Sequence, residues 1–215
     1  VNSYAVPAGE AQAEIRISNS RFIAHLAPAA SVEAAKVFID QIRSQYADAT
    51  HNVPAFVVGH GASVTAHCND DGEPAGTAGR PVLAVLQGSG LGDVVVVVTR
   101  YFGGTKLGTG GLVRAYTEAT QAVLAVTPTA RRAPVHHVRV EMPYPLYEQA
   151  RNLIDQLGGK LVMEDFAAEV TVEARLLSSR LEKLKEGLTE LSRGQVEVEI
   201  VGVEENAIWP DDETA

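Results

Sequence analysis

Residues 70 to 116 read DDGEPAGTAGRPVLAVLQGSGLGDVVVVVTRYFGGTKLGTGGLVRAY. At the centre is an unbroken β-branched run, Val94 to Thr99, whose continuous apolar character predicts a strand buried on both faces. Two glycine loops bracket it. One is acidic, with Asp70, Asp71 and Glu73, and the other is basic, with Arg100, Lys106 and Arg114. More than half of the chain's nineteen glycines fall here. Glycine lets another group approach the backbone closely, at a cost in chain entropy. A chain that gathers that cost in one stretch needs these loops in a particular shape, so something is bound or assembled here. Between the loops, PVLAVLQG predicts a short helix with Pro81 in its first turn. Beyond them, a helix is expected from about Thr109 to Val126, with Leu112, Val113, Tyr116, Ala119, Val123 and Leu124 on its inner face and Pro128 ending it.

Towards the N-terminus, AQAEIRI at 11–17 and RFIAHL at 21–26 alternate around SNS and predict a hairpin. Ser31 offers an N-cap to the amphipathic stretch SVEAAKVFIDQIRSQY. NVPAFVVG at 52–59 and SVTAHC at 63–68 read as two further strands. Towards the C-terminus, TPTARRAP at 127–134 shows no apolar period and reads as an interdomain linker. After it come strand, helix, two strands, helix and strand, the βαββαβ order of a ferredoxin-like unit. Residues 204–215 add five acids and no base and read as a solvated tail. The expected fold class is α+β in two domains.

The chain has 215 residues, 46% hydrophobic and 21% charged, which is ordinary for a globular protein. Its longest apolar run, Val94–Val98, is far short of the roughly 20 residues of a membrane span. No secretory leader pattern is visible, and the single cysteine, Cys68, fits a reducing compartment, so the expectation is cytoplasmic with no membrane partner. The net charge of −9 argues against indiscriminate coating of nucleic acid. Yet Gly76 to Arg132 holds six basic and two acidic residues, a local +4 against −13 elsewhere. Such a balance suits a specific structured polyanion or an acidic protein surface, unless these side chains are scattered over the folded surface.

In RYFGGTKLGTGGLVRAY a buried strand runs through glycines into a helix start, where free N–H groups favour anions. Arg100, Lys106 and Arg114 would add charge-assisted bonds to phosphate, and Tyr101 and Phe102 would offer stacking faces for bases. The glycines Gly103, Gly104, Gly108, Gly110 and Gly111 would permit close approach. The spacing is neither a Walker motif nor a GxGxxG fingerprint. The competing reading is tight strand–helix packing with the aromatics in the core. In the acidic loop, Asp70, Asp71 and Glu73 invite a metal or general base. Alternatively they pair with Arg80, Arg100 or Arg114 and cap the helix near Pro81. His51, His60, His67 and Cys68 lack zinc-ligand spacing, and no nucleophile elbow is present. No metal, cofactor or catalytic residue is assigned, so a binding protein is expected.

Three stretches carry a resemblance. SRF at 20–22, DDGEPAGTAG at 70–79 and RYFGGTKLGTGGLVRAY at 100–116 closely resemble the signature of the IMPACT/YigZ family, and His51–Asn52 looks like that family's histidine-containing strand start. The resemblance implies an N-terminal domain over 1–130 with a ribosomal-protein-like fold, as in domain IV of elongation factor G. It also implies a ferredoxin-like domain over 135–205 resembling domain V of that factor, with 206–215 as the acidic tail. Eukaryotic members of the family act in translational control, through the ribosome-associated activator of an amino-acid-starvation kinase. By resemblance, then, the expected function is that of a non-enzymatic regulator binding structured RNA or the ribosome. Its site would comprise Arg100 to Gly104, Lys106, the loop glycines and Arg114, with Asp70, Asp71, Glu73 and Arg80. The alternatives are a protein–protein regulator of translation or stress signalling, and an enzyme acting on a phosphorylated or nucleotide substrate between the loops.

Overall fold

The computed structural model describes residues 3–61 and 63–210. The chain forms two compact units that divide between Arg131 and Arg132. The first contains β1 (Tyr4–Pro7), β2 (Ala11–Ile17), β3 (Ser20–Pro28), α1 (Val32–Gln45), β4 (His51–Val58), β5 (Thr65–Cys68), α2 (Gly79–Ser89), β6 (Val94–Tyr101) and α3 (Gly108–Val126). Strands β2, β3, β6, β4 and β5 lie in that order in one sheet, every neighbouring pair antiparallel.

The β-branched run is β6, the central strand. Its even positions, Val94, Val96 and Val98, pack with Phe22, Leu26, Val53 and the inner faces of α2 and α3. Its odd positions, Val95 and Val97, pack under Phe38, Ile39 and Ile42 of α1. Two-sided burial is why the run shows no alternation, and each fully buried valine is worth roughly 1.5–3 kcal/mol. Helix α1 starts where expected, with the Ser31 hydroxyl accepting from Ala34 N–H at 3.1 Å.

The second unit contains β7 (Thr129–Met142, which begins in the first unit), α4 (Tyr144–Gln156), β8 (Lys160–Phe166), β9 (Val170–Leu177), α5 (Leu181–Ser192) and β10 (Val198–Pro210). Its sheet has five strands, in which the order β10-β7-β9-β8, with two crossing helices, is the expected ferredoxin-like arrangement and β1 is an added strand pairing with β7. Val138, Val140, Met142, Val170, Val172 and Leu176 face Ile154, Leu184 and Leu188 of the helices.

Two local expectations are corrected. The stretch read as a linker is strand from Thr129 onward. Ala130 and Ala133 are buried there, and their small side chains leave no apolar signature in the sequence. The stretch read as a solvated tail is strand as far as Pro210. Ala207 and Trp209 turn inward against Val135 while Asn206, Ile208 and Pro210 alternate with them on the exposed side, and the exposed acids Glu204 and Glu205 precede them. Residues 211–215 of that expected tail lie outside the described residues.

Candidate nucleic-acid interface

The acidic loop follows the edge strand β5 and is folded by its own carboxylates. The Asp70 carboxylate accepts backbone N–H bonds from Gly76 at 2.8 Å, Ala78 at 3.1 Å and Gly79 at 2.8 Å. It thereby caps α2, whose own N-cap position is occupied by Ala78, with no side chain to do so. Burial alone would raise the Asp70 pKa, but these three bonds and the Arg80 charge outweigh it and hold the carboxyl below its ordinary value.

Asp71 adopts a left-handed backbone at φ 48°. Its carboxylate accepts from the Asn52 N–H at 2.7 Å and from Arg43 Nη2 at 3.0 Å, tying the loop to β4 and α1. The Asp71 carbonyl accepts from His51 Nδ1 at 2.7 Å, which fixes the proton on that ring nitrogen. Glu73 is buried. Its Oε1 accepts from Arg100 Nη1 at 2.6 Å and from the Tyr116 hydroxyl at 2.8 Å, and its Oε2 lies 3.7 Å from His51 Nε2. Burial, then the adjacent Glu73, push the Tyr116 phenol far above its ordinary value, so it remains a donor.

The two glycine loops therefore meet, through Glu73, Arg100 and Tyr116. All three carboxylates are committed to cationic or N–H donors inside the fold. They do not converge as a metal site, and among the described residues no group of three His, Cys, Asp or Glu is placed to hold one. The pairing and capping reading holds for Asp70 and Glu73, and the metal reading of this loop is set aside. Arg100, read from sequence as a phosphate ligand, is only 5% exposed and serves as the internal partner of Glu73.

The basic loop leaves β6 over the β2–β3 turn. Arg100 Nη2 donates to Ser20 Oγ at 3.4 Å, and the Gly103 N–H donates to the same oxygen at 3.2 Å. A Cβ on Gly103 would sit 2.1 Å from the Asn19 carbonyl carbon, so this glycine is what lets the two backbones touch. The Tyr101 hydroxyl donates to Asp48 at 2.8 Å, and the Arg21 guanidinium lies 5.6 Å from its ring centroid. The Phe102 N–H donates to Thr50 Oγ1 at 3.1 Å, while its ring remains 47% exposed. The loop then turns through Gly104 and Gly108, both at positive φ, into α3. Leu107 occupies the N-cap position there, no side chain caps the helix, and Gly110 and Gly111 lie in its first turn. Lys106 and Arg114 are exposed on either side of this helix start, and Arg80 is exposed in the first turn of α2. Among the described residues none of these three makes an ion pair.

The predicted residues thus divide. Asp70, Asp71, Glu73, Arg100 and Gly103 build the scaffold, and Tyr101 is pinned to Asp48 and Arg21. Phe102, Lys106, Arg114 and Arg80 face outward. Sequence reasoning missed the other half of the scaffold: Asn19, Thr50, Asp48 and the phenol of Tyr116. The one sequence signal for it was the SRF motif, whose Ser20 and Phe22 both touch Arg100.

Together these features define a two-domain α+β protein in which an acidic glycine loop braces a basic one at the end of a central buried strand. The chain belongs to the IMPACT family. A family model described as the Impact N-terminal domain matches residues 18–124, and one described as a domain of unknown function, DUF1949, matches residues 140–195. The chain is 37% identical over 199 residues to IMPACT family member YigZ of Escherichia coli, covering 92% of this chain and 98% of that protein. It is 39% identical over 93 residues to Protein IMPACT of Xenopus laevis, covering 41% of this chain and 29% of that protein. A crystal structure of a hypothetical protein, 36% identical, superposes with a TM-score of 0.62 over 94% of this chain and 98% of that one.

Proposed function

We propose that this protein is a non-enzymatic, translation-associated regulator that docks structured RNA or a ribosomal surface through the β6–α3 loop. The observation that carries the reading is the exposure of Lys106, just before the uncapped start of α3, and of Arg114, in its second turn, neither held in an ion pair among the described residues. A helix start without a side-chain cap, followed within two turns by exposed cations, is a phosphate-binding arrangement. The scaffold beneath it supports the same reading, because Glu73 and Arg100 hold the loop in shape without contributing net charge. Membership in the IMPACT family supports the translational context. The local charge also matters: an acidic protein with a confined basic loop binds a polyanion at one place rather than along its whole surface.

Titrating RNA affinity against salt tests this. Each phosphate contact contributes about −0.9 to the slope of log K against log salt on a duplex and about −0.7 on a single strand. Lys106→Glu/Arg114→Glu, removing two contacts, therefore reduces the slope by about 1.4 on a single strand and about 1.8 on a duplex. Binding unaffected by the double substitution, in a folded variant, refutes the assignment of the loop.

A further inference from the structure

The ring of Phe102 is part of a layered arrangement that begins in the core. Phe22 and Tyr116 meet edge to face, with ring centroids 5.3 Å apart and planes at 87°. The Arg100 guanidinium carbon lies over the Phe22 ring at 5.4 Å and over the Phe102 ring at 5.6 Å. Arg100 cannot swing away, because Glu73 and Ser20 hold both terminal nitrogens. Nor can the Phe102 backbone drift, because Thr50 anchors its N–H and Gly103 is pressed onto the β2–β3 turn. One face of the Phe102 ring is thus backed by a fixed cation, and the ring is still 47% exposed. Tyr101 differs: its hydroxyl is tied to Asp48 and the Arg21 guanidinium lies over its ring.

An aromatic side chain held this way costs water contact and stabilises little of the core. It is also pre-organised, so a planar ligand that stacks on it pays little ordering entropy. Lys106 and Arg114 follow in the same loop–helix segment, and both are exposed.

We infer that Phe102 is a base-stacking platform and that the loop's ligand is an unpaired nucleotide, in a single strand, bulge or loop of RNA, rather than the outside of a duplex. The inference rests on the proposed RNA-binding reading and narrows it. A paired base has both faces covered by its neighbours in the helix, so only an unstacked one can occupy the Phe102 ring. Lys106 and Arg114 then hold the flanking phosphates, and Arg100 acts as a positioning residue beneath the platform.

The test uses the full chain, a single-stranded oligoribonucleotide carrying one 2-aminopurine, and a fully paired two-strand RNA duplex with the same number of phosphates and no loop. Wild type binds the single strand more tightly than the duplex and quenches the 2-aminopurine. Phe102→Ala weakens single-strand binding about 5- to 100-fold and abolishes the quench. The same variant leaves duplex binding and thermal stability unchanged, and Phe102→Trp restores both affinity and quench. Lys106→Glu/Arg114→Glu weakens both ligands. If Phe102→Ala binds the single strand as wild type does, or wild type gives no quench, the stacking inference is overturned while the polyanion reading stands. If wild type binds neither RNA, both fall.

Discussion

Removing one partner of the Glu73–Arg100 pair provides the sharpest check on the scaffold. Both side chains are almost fully buried, at 3% and 6% exposure, with 2.6 Å between the paired atoms. Glu73→Gln leaves the guanidinium in a low-dielectric site with a neutral partner, and Arg100→Met leaves the carboxylate with the Tyr116 hydroxyl and the His51 ring 3.7 Å away. Breaking a buried pair from one side costs about 3–5 kcal/mol, most of it the penalty for the charge left behind. That is a large share of the 5–15 kcal/mol that holds a domain together. The double variant Glu73→Gln/Arg100→Met buries no uncompensated charge, so it is less destabilised than the sum of the single variants, by about 2–3 kcal/mol. Tyr116→Phe loses one hydrogen bond to a charged acceptor and costs about 1.5–3 kcal/mol. The measurement is hydrogen exchange of the β6 amides across a urea series, because these amides report the first unit specifically. Strictly additive costs, or single-variant costs below about 0.5 kcal/mol, would show that Arg100 is not a strut and would return it to the list of ligand contacts.

Three further outcomes follow from the same geometry. Asp70→Ala removes the acceptor for three N–H groups at the start of α2 and lowers urea stability by about 1–2 kcal/mol. Because the Asp70 carboxyl is held below its ordinary pKa in the folded state, its contribution is complete above the unfolded value and fades as pH falls through the folded one; Asp70→Asn at neutral pH shows the same direction of loss. His25 is buried beneath α1 beside Tyr46, and burial lowers its pKa from 6.5 to about 4. Neutral His25 therefore contributes fully above pH 6.5, and its contribution is lost as pH falls towards 4. The loss is at most about 3 kcal/mol, less whatever solvent screening removes. His25→Leu flattens the melting temperature between those pH values, and an unchanged slope would contradict the assignment. Gly103→Ala forces the loop off the β2–β3 turn and costs about 1–3 kcal/mol, whereas Gly110→Ala, with nothing within 4 Å, is neutral or stabilises α3 by up to about 1 kcal/mol; equal effects by thermal melting would refute the packing argument.

Most of the fold was legible because its elements carry their own periodicity. The Val94–Thr99 run could only be a central strand, and the Ser31 cap, the SNS turn and the βαββαβ order each announced an element. What was not legible was written in residues without a distinctive pattern. Ala130 and Ala133 fill the start of β7 with side chains too small to register, and Trp209 hides one inward position beyond the acids of β10. The site was half legible. Charge and glycine content located both loops, but nothing local distinguishes Arg100 from Lys106 or Arg114. The difference arises only from register: β6 pairs Arg100 with Phe22 and His51, placing it at the edge of the core where Glu73 arrives from another loop. Likewise Tyr101 and Phe102 read as equivalent aromatics, and only Asp48 and Arg21, distant in sequence, pin one and leave the other open.

The central claim is that Lys106 and Arg114, and not the buried Arg100, present the binding surface. Ribosome co-sedimentation from a native lysate at two salt concentrations tests it, comparing wild type with a Lys106→Glu/Arg114→Glu variant shown to be folded by circular dichroism. The account predicts that wild type pellets with ribosomes at low salt and less at high salt, and that the variant stays in the supernatant at both. Wild type remaining in the supernatant at low salt, or the variant pelleting as wild type does, would contradict it.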